Sequence, residues 1–166
     1  MILYFLRHGD AGTSLHASGR SETPDRLVED DARGLSAEGV AALLAGGTVW
    51  QRLKLRPDVV LTSPLPRALQ TAQLFCDAMG GEPISDDRLR PGGRWPEFAR
   101  AMADHPDAAR VMFVGHEPDL SQVLAQLTGA SVRMRKGSLA CVEFYGVPEP
   151  GGGELAWLID PDLYAA

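Results

Sequence analysis

The stretch YFLRHGDAG, at residues 4–12, contains the end of an apolar run that begins at residue 2. The continuous run ILYFL (2–6) is typical of a strand that is buried on both faces, as in a parallel sheet. The run stops at Arg7 and His8, where the strand opens into a loop. The permanent positive charge of an arginine repels cations, so this pair favours an anion as the ligand.

Two more apolar strands and four helical patterns follow the first run. The strands are predicted at residues 58–62 (DVVLT) and 110–114 (RVMFV), and loop-forming residues end each of them. Apolar periodicity and capping residues predict helices at residues 37–53, 66–79, 96–104 and 118–128. In the second helix, the spacing predicts a buried stripe formed by Leu69, Ala72, Gln73 and Cys76.

The C-terminal part of the chain carries two segments of alternating polarity. Residues 138–146 and 154–160 flank the turn sequence PEPGGG, which predicts a hairpin or two edge strands. Strands that alternate with helices form mostly parallel sheets covered on both faces. The predicted fold class is therefore α/β, a three-layer α/β/α arrangement whose mostly parallel central sheet has an antiparallel edge strand.

The composition is that of a globular protein, with 45% hydrophobic and 23% charged residues among 166. No linker or repeat divides the sequence, so we expect a single domain over residues 1–166. The net charge of −6 argues against general binding to nucleic acids or membrane surfaces. The two cysteines lie in apolar contexts, which suits core residues in a reducing cytoplasm, the expected location. Residues 13–35 are polar and predict a long loop near the active site.

Arginine and histidine side chains follow three of the predicted strands. Arg7 and His8 follow the first, Arg67 lies on the first turn of the helix after the second, and His116 follows the third. Ligands of open α/β sheets bind at the carboxyl ends of the strands, so we expect these side chains to converge. Guanidinium groups can hold the oxygens of a phosphoryl group, and a neutral imidazole can attack its phosphorus.

A metal site is the alternative interpretation of two histidines with Asp10 and Glu117 beside them. It would place two arginines next to the cation, and the sequence lacks the helical HExxH or paired-cysteine spacing of zinc sites. Phosphate chemistry accounts for the arginines, so we expect neither a metal nor an organic cofactor. Asp10 can shape the loop, orient an arginine or contact the substrate, and the sequence leaves these alternatives open.

Three motifs, in this order and spacing, resemble the histidine phosphatase superfamily: LRHGDA, SPLPRALQTA and VGHEPDLS. The segments DARGLSAEG, LRPGG and MRKGSLACVEF are similar to the small SixA-type phosphohistidine phosphatases within that superfamily. The resemblance extends from residue 2 to about residue 144. It implies a phosphoglycerate mutase-like fold.

The resemblance also implies roles for the motif residues. His8 matches the nucleophile that becomes transiently phosphorylated, Arg7 and Arg67 match phosphate ligands, and His116 matches the second histidine that stabilises the phosphoryl group. A phosphate or sulfate ion is accordingly expected to bind in the site.

Two further residues are weaker candidates. Arg33 matches an arginine of the SixA-like pattern and is a candidate substrate ligand, although a structural pair with Asp30 or Asp31 is slightly favoured. Many larger members of the superfamily supply a separate acidic proton donor. Glu97 is the candidate for that role here, but an acidic residue at a helix start is common for dipole reasons alone.

The predicted function is hydrolysis of phosphohistidine on a signalling protein, such as a histidine phosphotransfer domain, through a phosphohistidine enzyme intermediate. Glu97 is the only candidate for an acidic proton donor, and this favours phosphohistidine as the substrate, since an imidazole leaves more readily than an alkoxide. One alternative is a small-molecule phosphomonoesterase or a phosphoglycerate mutase-like enzyme. Another is a non-catalytic phosphate-binding module.

Overall fold

The structure is a computed structural model that describes residues 1–12 and 31–164. Most of the predicted loop of residues 13–35, including Asp30, lies outside the described residues. Within them, six strands form one sheet in the order β3-β2-β4-β1-β5-β6. The strands are β1 Ile2–Arg7, β2 Val59–Thr62, β3 Pro83–Ser85, β4 Arg110–Gly115, β5 Leu139–Glu143 and β6 Glu154–Ile159.

The sheet is mostly parallel. Strands β1, β2, β3 and β4 pair in parallel, whereas β5 runs antiparallel to both β1 and β6. Both antiparallel pairings therefore involve β5, in the β5–β6 hairpin at one edge. This confirms the predicted fold class and the predicted hairpin. Strand β3 was not predicted, because its three residues, PIS, are too few to show a periodicity.

Four α-helices of the described chain lie close to their predicted bounds. They are α1 Ala37–Arg52, α2 Pro66–Met79, α3 Trp95–Ala103 and α4 Asp119–Thr128. Ser36 caps α1, since its hydroxyl accepts the backbone N–H of Gly39 at 3.0 Å. Pro66 begins α2, where a missing N–H costs no hydrogen bond.

The helices cover both faces of the sheet and bury two apolar cores. On one face α3 and α4 pack against side chains such as Phe5 and Phe113, whose rings stack at 5.6 Å. On the other face α1 and α2 pack around Trp50 and Phe75, whose ring centroids lie 5.2 Å apart. Alternate residues of the central strands enter opposite cores, which explains their uninterrupted apolar sequence.

The predicted buried stripe of α2 is partly wrong. Leu69 and Gln73 are exposed, whereas the helix buries a set that includes polar residues. The buried members are Arg67, Ala68, Thr71, Ala72, Phe75 and Cys76. The buried face of α2 differs from the predicted stripe because the start of the helix lies at the candidate site. There the helix buries polar side chains as well as apolar ones.

Cys76 and Cys141 are buried and free, as predicted for small core residues. Within residues 1–12 and 31–164, every helix is too short or too polar to span a bilayer.

Candidate active site

The ends of β1 and β4 bring the two motif histidines together. The strands pair in parallel, with Arg7 opposite Gly115, and the backbone N–H of His8 donates to the Gly115 carbonyl at 3.1 Å. His116 is the next residue, so both imidazoles leave the sheet at the same edge. Their ring centroids lie 5.1 Å apart, and both side chains are buried.

The imidazole of His8 has a defined tautomer. Its Nδ1 lies 2.7 Å from the carbonyl oxygen of Gly9, which can only accept, so Nδ1 carries the proton. Burial lowers the pKa of His8 to about 4, and the nearby charges of Arg67 and Arg7 contribute to this shift. At neutral pH the ring is therefore uncharged, and its Nε2 presents a lone pair.

The pKa of His116 is lowered further than that of His8. Burial lowers its pKa to about 3, with further contributions from His8 and the two arginines. Its Nε2 lies 2.8 Å from the hydroxyl of Ser63, which is itself fully buried. Its Nδ1 is buried and has no hydrogen-bond partner among the described residues.

The two motif arginines flank these histidines. Arg7 Nη1 donates to the Met134 carbonyl at 2.7 Å, and its Nε is buried without a partner in the described part of the chain. Arg67 is buried on the first turn of α2. The positive charges of both arginines contribute to the lowered pKa values of His8 and His116. The carboxyl edge of the sheet thus carries two arginines and two histidines, although the whole chain is acidic.

Asp10 shapes the loop that follows β1, which is one of the three roles that the sequence left open. Its Oδ2 accepts the Gly12 backbone N–H and the Ser36 hydroxyl, both at 2.8 Å. Its Oδ1 pairs with Lys136. The hydrogen bonds from Lys136, Ser36 and Gly12 lower the pKa of Asp10 to about 2, so the carboxylate is ionised at neutral pH.

Arg33 lies beside the same loop. Its Nη1 donates to the Gly12 carbonyl at 2.9 Å, and its side chain is half-buried. Asp31, one of its predicted partners, lies 3.9 Å from Arg90 Nη1. The role of Arg33 as a substrate ligand stays a prediction.

Glu97 has a structural role at the start of α3. Its carboxylate accepts the Arg94 backbone N–H at 3.1 Å and lies 2.5 Å from Arg100 Nη2. The hydrogen bond from Arg94 is the main reason why its pKa is lower than usual. An ionised carboxylate that caps a helix has no proton to donate. This arrangement favours the interpretation that Glu97 stabilises the start of α3.

Three residues at the site were not singled out in the sequence. Ser63 contacts His116, Lys136 pairs with Asp10, and Thr71 bonds both the RHG loop and α2. Ser63 could have been found by the rule that identified Arg67, because it directly follows β2. Among the described residues, His, Cys, Asp and Glu side chains do not gather in groups of three that could hold a metal ion.

Comparison with known proteins assigns the family. The model of the histidine phosphatase superfamily (branch 1) matches residues 3–113, which include the RHG and SPLPRALQTA motifs. The chain belongs to this superfamily. It is also 31% identical over 150 residues to an uncharacterized protein of Picosynechococcus sp., with 84% of this chain and 82% of that protein covered.

Solved structures place the chain in the same fold. The protein histidine phosphatase SixA complexed with tungstate matches with a TM-score of 0.78 and 23% identity, covering 98% of this chain and 99% of that chain. A mycobacterial glucosyl-3-phosphoglycerate phosphatase matches with a TM-score of 0.68 and 18% identity, covering 93% and 96%. The predicted superfamily is confirmed, and the SixA-type architecture is confirmed at the level of the fold.

Proposed function

We propose that this histidine phosphatase hydrolyses phosphohistidine on a signalling protein, with His8 as the covalent nucleophile. The observation that carries the proposal is the 2.7 Å contact between His8 Nδ1 and the Gly9 carbonyl. It leaves the Nε2 lone pair available in a ring that is neutral at physiological pH. The superfamily membership supports a phosphatase, and the substrate is our inference.

The reaction takes place in two displacements. In the first, the Nε2 lone pair of His8 attacks phosphorus, the substrate P–N bond breaks, and the leaving imidazole takes its proton from solvent. In the second, water attacks the phosphorylated His8, which regains its lone pair as inorganic phosphate is released. Arg7, Arg67 and His116 would stabilise the transferring oxygens.

The environment of the carboxylates supports a phosphoramidate substrate. Glu97 caps α3, and Asp10 is paired with Lys136, so both are engaged as ionised groups. An alkoxide leaving group needs a positioned acid, whereas a protonated imidazole leaves without one. The structurally similar SixA is a protein histidine phosphatase. We therefore place the substrate on a protein such as a histidine phosphotransfer domain, in the cytoplasm.

The test compares phosphohistidine, phosphoserine and small phosphate esters as substrates, with a chelator present. We expect the highest kcat/KM on the phosphohistidine protein, and activity that survives the chelator. Higher turnover of sugar phosphates or phosphoglycerates would establish the small-molecule alternative. Loss of activity with chelator would instead point to a metal enzyme.

His8→Ala is the decisive variant, with His105→Ala as its matched control outside the site. His8→Ala should abolish turnover and the acid-labile phosphoenzyme, and binding of inorganic phosphate should remain measurable. His105→Ala should behave like the unmodified protein. Unchanged turnover in His8→Ala would exclude the covalent mechanism, and phosphohistidine binding without any turnover in the unmodified protein would identify a binding module.

A further inference from the structure

Ser63 lies behind His116 at the carboxyl end of β2. Its side chain is fully buried, and among the described residues its Oγ has two hydrogen-bond partners, the Leu65 backbone N–H at 3.3 Å and His116 Nε2 at 2.8 Å. The first contact has only one direction, because a backbone N–H always donates. The hydroxyl therefore accepts from Leu65 and keeps its own proton for another partner.

The direction of the hydrogen bond between Ser63 and His116 follows from the number of donors and acceptors that each arrangement leaves unpaired. If Ser63 donates to His116 Nε2, the serine hydroxyl is satisfied and the ring proton lies on Nδ1. If Nε2 donates instead, the serine proton has no acceptor among the described residues, and a buried unpaired hydroxyl is unfavourable. The chain from Leu65 through Ser63 to His116 is thus favoured, and it leaves an Nδ1–H donor.

That donor lies in a buried ring next to the proposed nucleophile. His116 is 3% exposed, its Nδ1 has no partner in residues 1–12 and 31–164, and its ring centroid is 5.1 Å from that of His8. A buried donor without an acceptor is uncommon in folded proteins and calls for a ligand. Phosphoryl oxygens act only as acceptors when ionised, so they suit an N–H and repel a nitrogen lone pair.

We propose that Ser63 is a positioning residue that holds His116 in the Nδ1–H tautomer, so that His116 donates a hydrogen bond to the transferring phosphoryl group. The inference rests on the proposed function, because it assigns the direction of a contact within that site. Ser63 itself touches neither substrate nor phosphorus. Its effect is exerted through the imidazole, which otherwise would divide between two tautomers.

The matched pair Ser63→Ala and Ser138→Ala tests the proposal. Ser138 is also fully buried, but its hydroxyl has no partner in the described chain, so the same truncation there removes no hydrogen bond. In Ser63→Ala we expect kcat to fall about 10- to 100-fold with a much smaller change in KM, since a transition-state donor is weakened and its ring remains. Ser138→Ala should keep the original kcat.

Nitrogen-15 NMR of the histidine rings supplies a readout that a purely structural role would not change. With inorganic phosphate bound, the unmodified protein should show His116 as the Nδ1–H tautomer, and Ser63→Ala should show an increased Nε2–H population. An Nε2–H tautomer in the unmodified protein would overturn the proposal, and so would equal kcat values in the two alanine variants. The first measurement needs no variant, so it decides the question even if Ser63→Ala fails to fold.

The two proposals fail in different ways. If His8→Ala kept its turnover, the covalent mechanism would be wrong whatever the tautomer of His116. If His8→Ala were inactive and Ser63→Ala matched Ser138→Ala, the mechanism would stand and the role of Ser63 would be wrong.

Discussion

The hydroxyl of Thr71 holds the RHG loop to helix α2, because it accepts the backbone N–H of Gly9 at 3.1 Å. The same oxygen donates to the carbonyl of Arg67 at 2.7 Å. One fully buried side chain thus connects the residue after His8 with the backbone of Arg67. The relative position of the proposed nucleophile and the proposed phosphate ligand depends on this connection.

Replacing Thr71 by valine should reduce both stability and activity. The change keeps the shape of the side chain but leaves the buried Gly9 N–H without an acceptor, at a cost of about 1–3 kcal/mol in the free energy of unfolding. Thr71→Ser, which retains the hydroxyl, is the control. Urea denaturation and kcat on a phosphohistidine substrate measure the two effects, and equal values for both variants would contradict this role.

Gly39 allows α1 to approach the loop at Asp10. A Cβ at residue 39 would lie 2.2 Å from the Asp10 carbonyl oxygen and 2.8 Å from its nitrogen, so Gly39→Ala must displace this backbone. We expect a loss of about 1–3 kcal/mol in the free energy of unfolding, together with a lower kcat. Gly47→Ala is the control in the same helix, since its Cβ would make only an ordinary 3.5 Å contact with Ala78.

Gly47→Ala should stabilise the protein by up to about 1 kcal/mol, because alanine has the higher helix propensity. In thermal and urea denaturation, the two glycine variants should therefore change the free energy of unfolding in opposite directions. A stable and fully active Gly39→Ala would show that the loop tolerates a displacement at Asp10.

The stability should depend on pH through the two buried histidines. In the folded chain the pKa is about 4 for His8 and about 3 for His116, whereas an unfolded histidine titrates near 6.5. Below about pH 6.5 the unfolded chain binds more protons, so the free energy of unfolding falls as the pH decreases from about 6.5 to about 4. We expect a loss on the order of 1–3 kcal/mol for each histidine.

Urea denaturation across this pH range measures the effect, and His8→Asn should show a smaller decrease than the unmodified protein. His105→Asn, outside the site, is the control and should retain the full decrease. The carboxylate of Asp10, with its pKa of about 2, titrates below this range. A slope that is the same in all three proteins would show that His8 is not the group responsible.

Replacing Glu97 by glutamine tests whether the reaction needs this carboxylate as an acid. Glutamine can still accept the Arg94 N–H, so α3 keeps its start, but it cannot transfer a proton. We expect kcat on phosphoserine and phosphohistidine to stay within about twofold of the unmodified protein, since no step depends on this group. Glu154→Gln, on β6, is the control, and a large loss confined to ester substrates would restore Glu97 as the acid.

The edge of the sheet that carries the site was predictable from the sequence, because periodicity and strand order are local properties. Apolar runs marked β1, β2 and β4, and the polar residues that follow them had to meet where parallel strands end. The same reasoning correctly placed the start and end of α2, because Pro66 and Gly80 act on the neighbouring backbone. It missed the short strand β3 and the burial of Thr71 on α2.

The sequence by itself determined the fold class, the family and the set of arginines and histidines at one sheet edge. Only the tertiary structure decided how these groups are held: the proton on His8 Nδ1, the Ser63 contact of His116 and the link from Thr71 to Gly9. The reason is physical: two of these contacts join residues 53 and 62 positions apart, and the His8 contact depends on the backbone geometry of the buried RHG loop. Their directions depend on which buried donors and acceptors remain unpaired after the chain has folded.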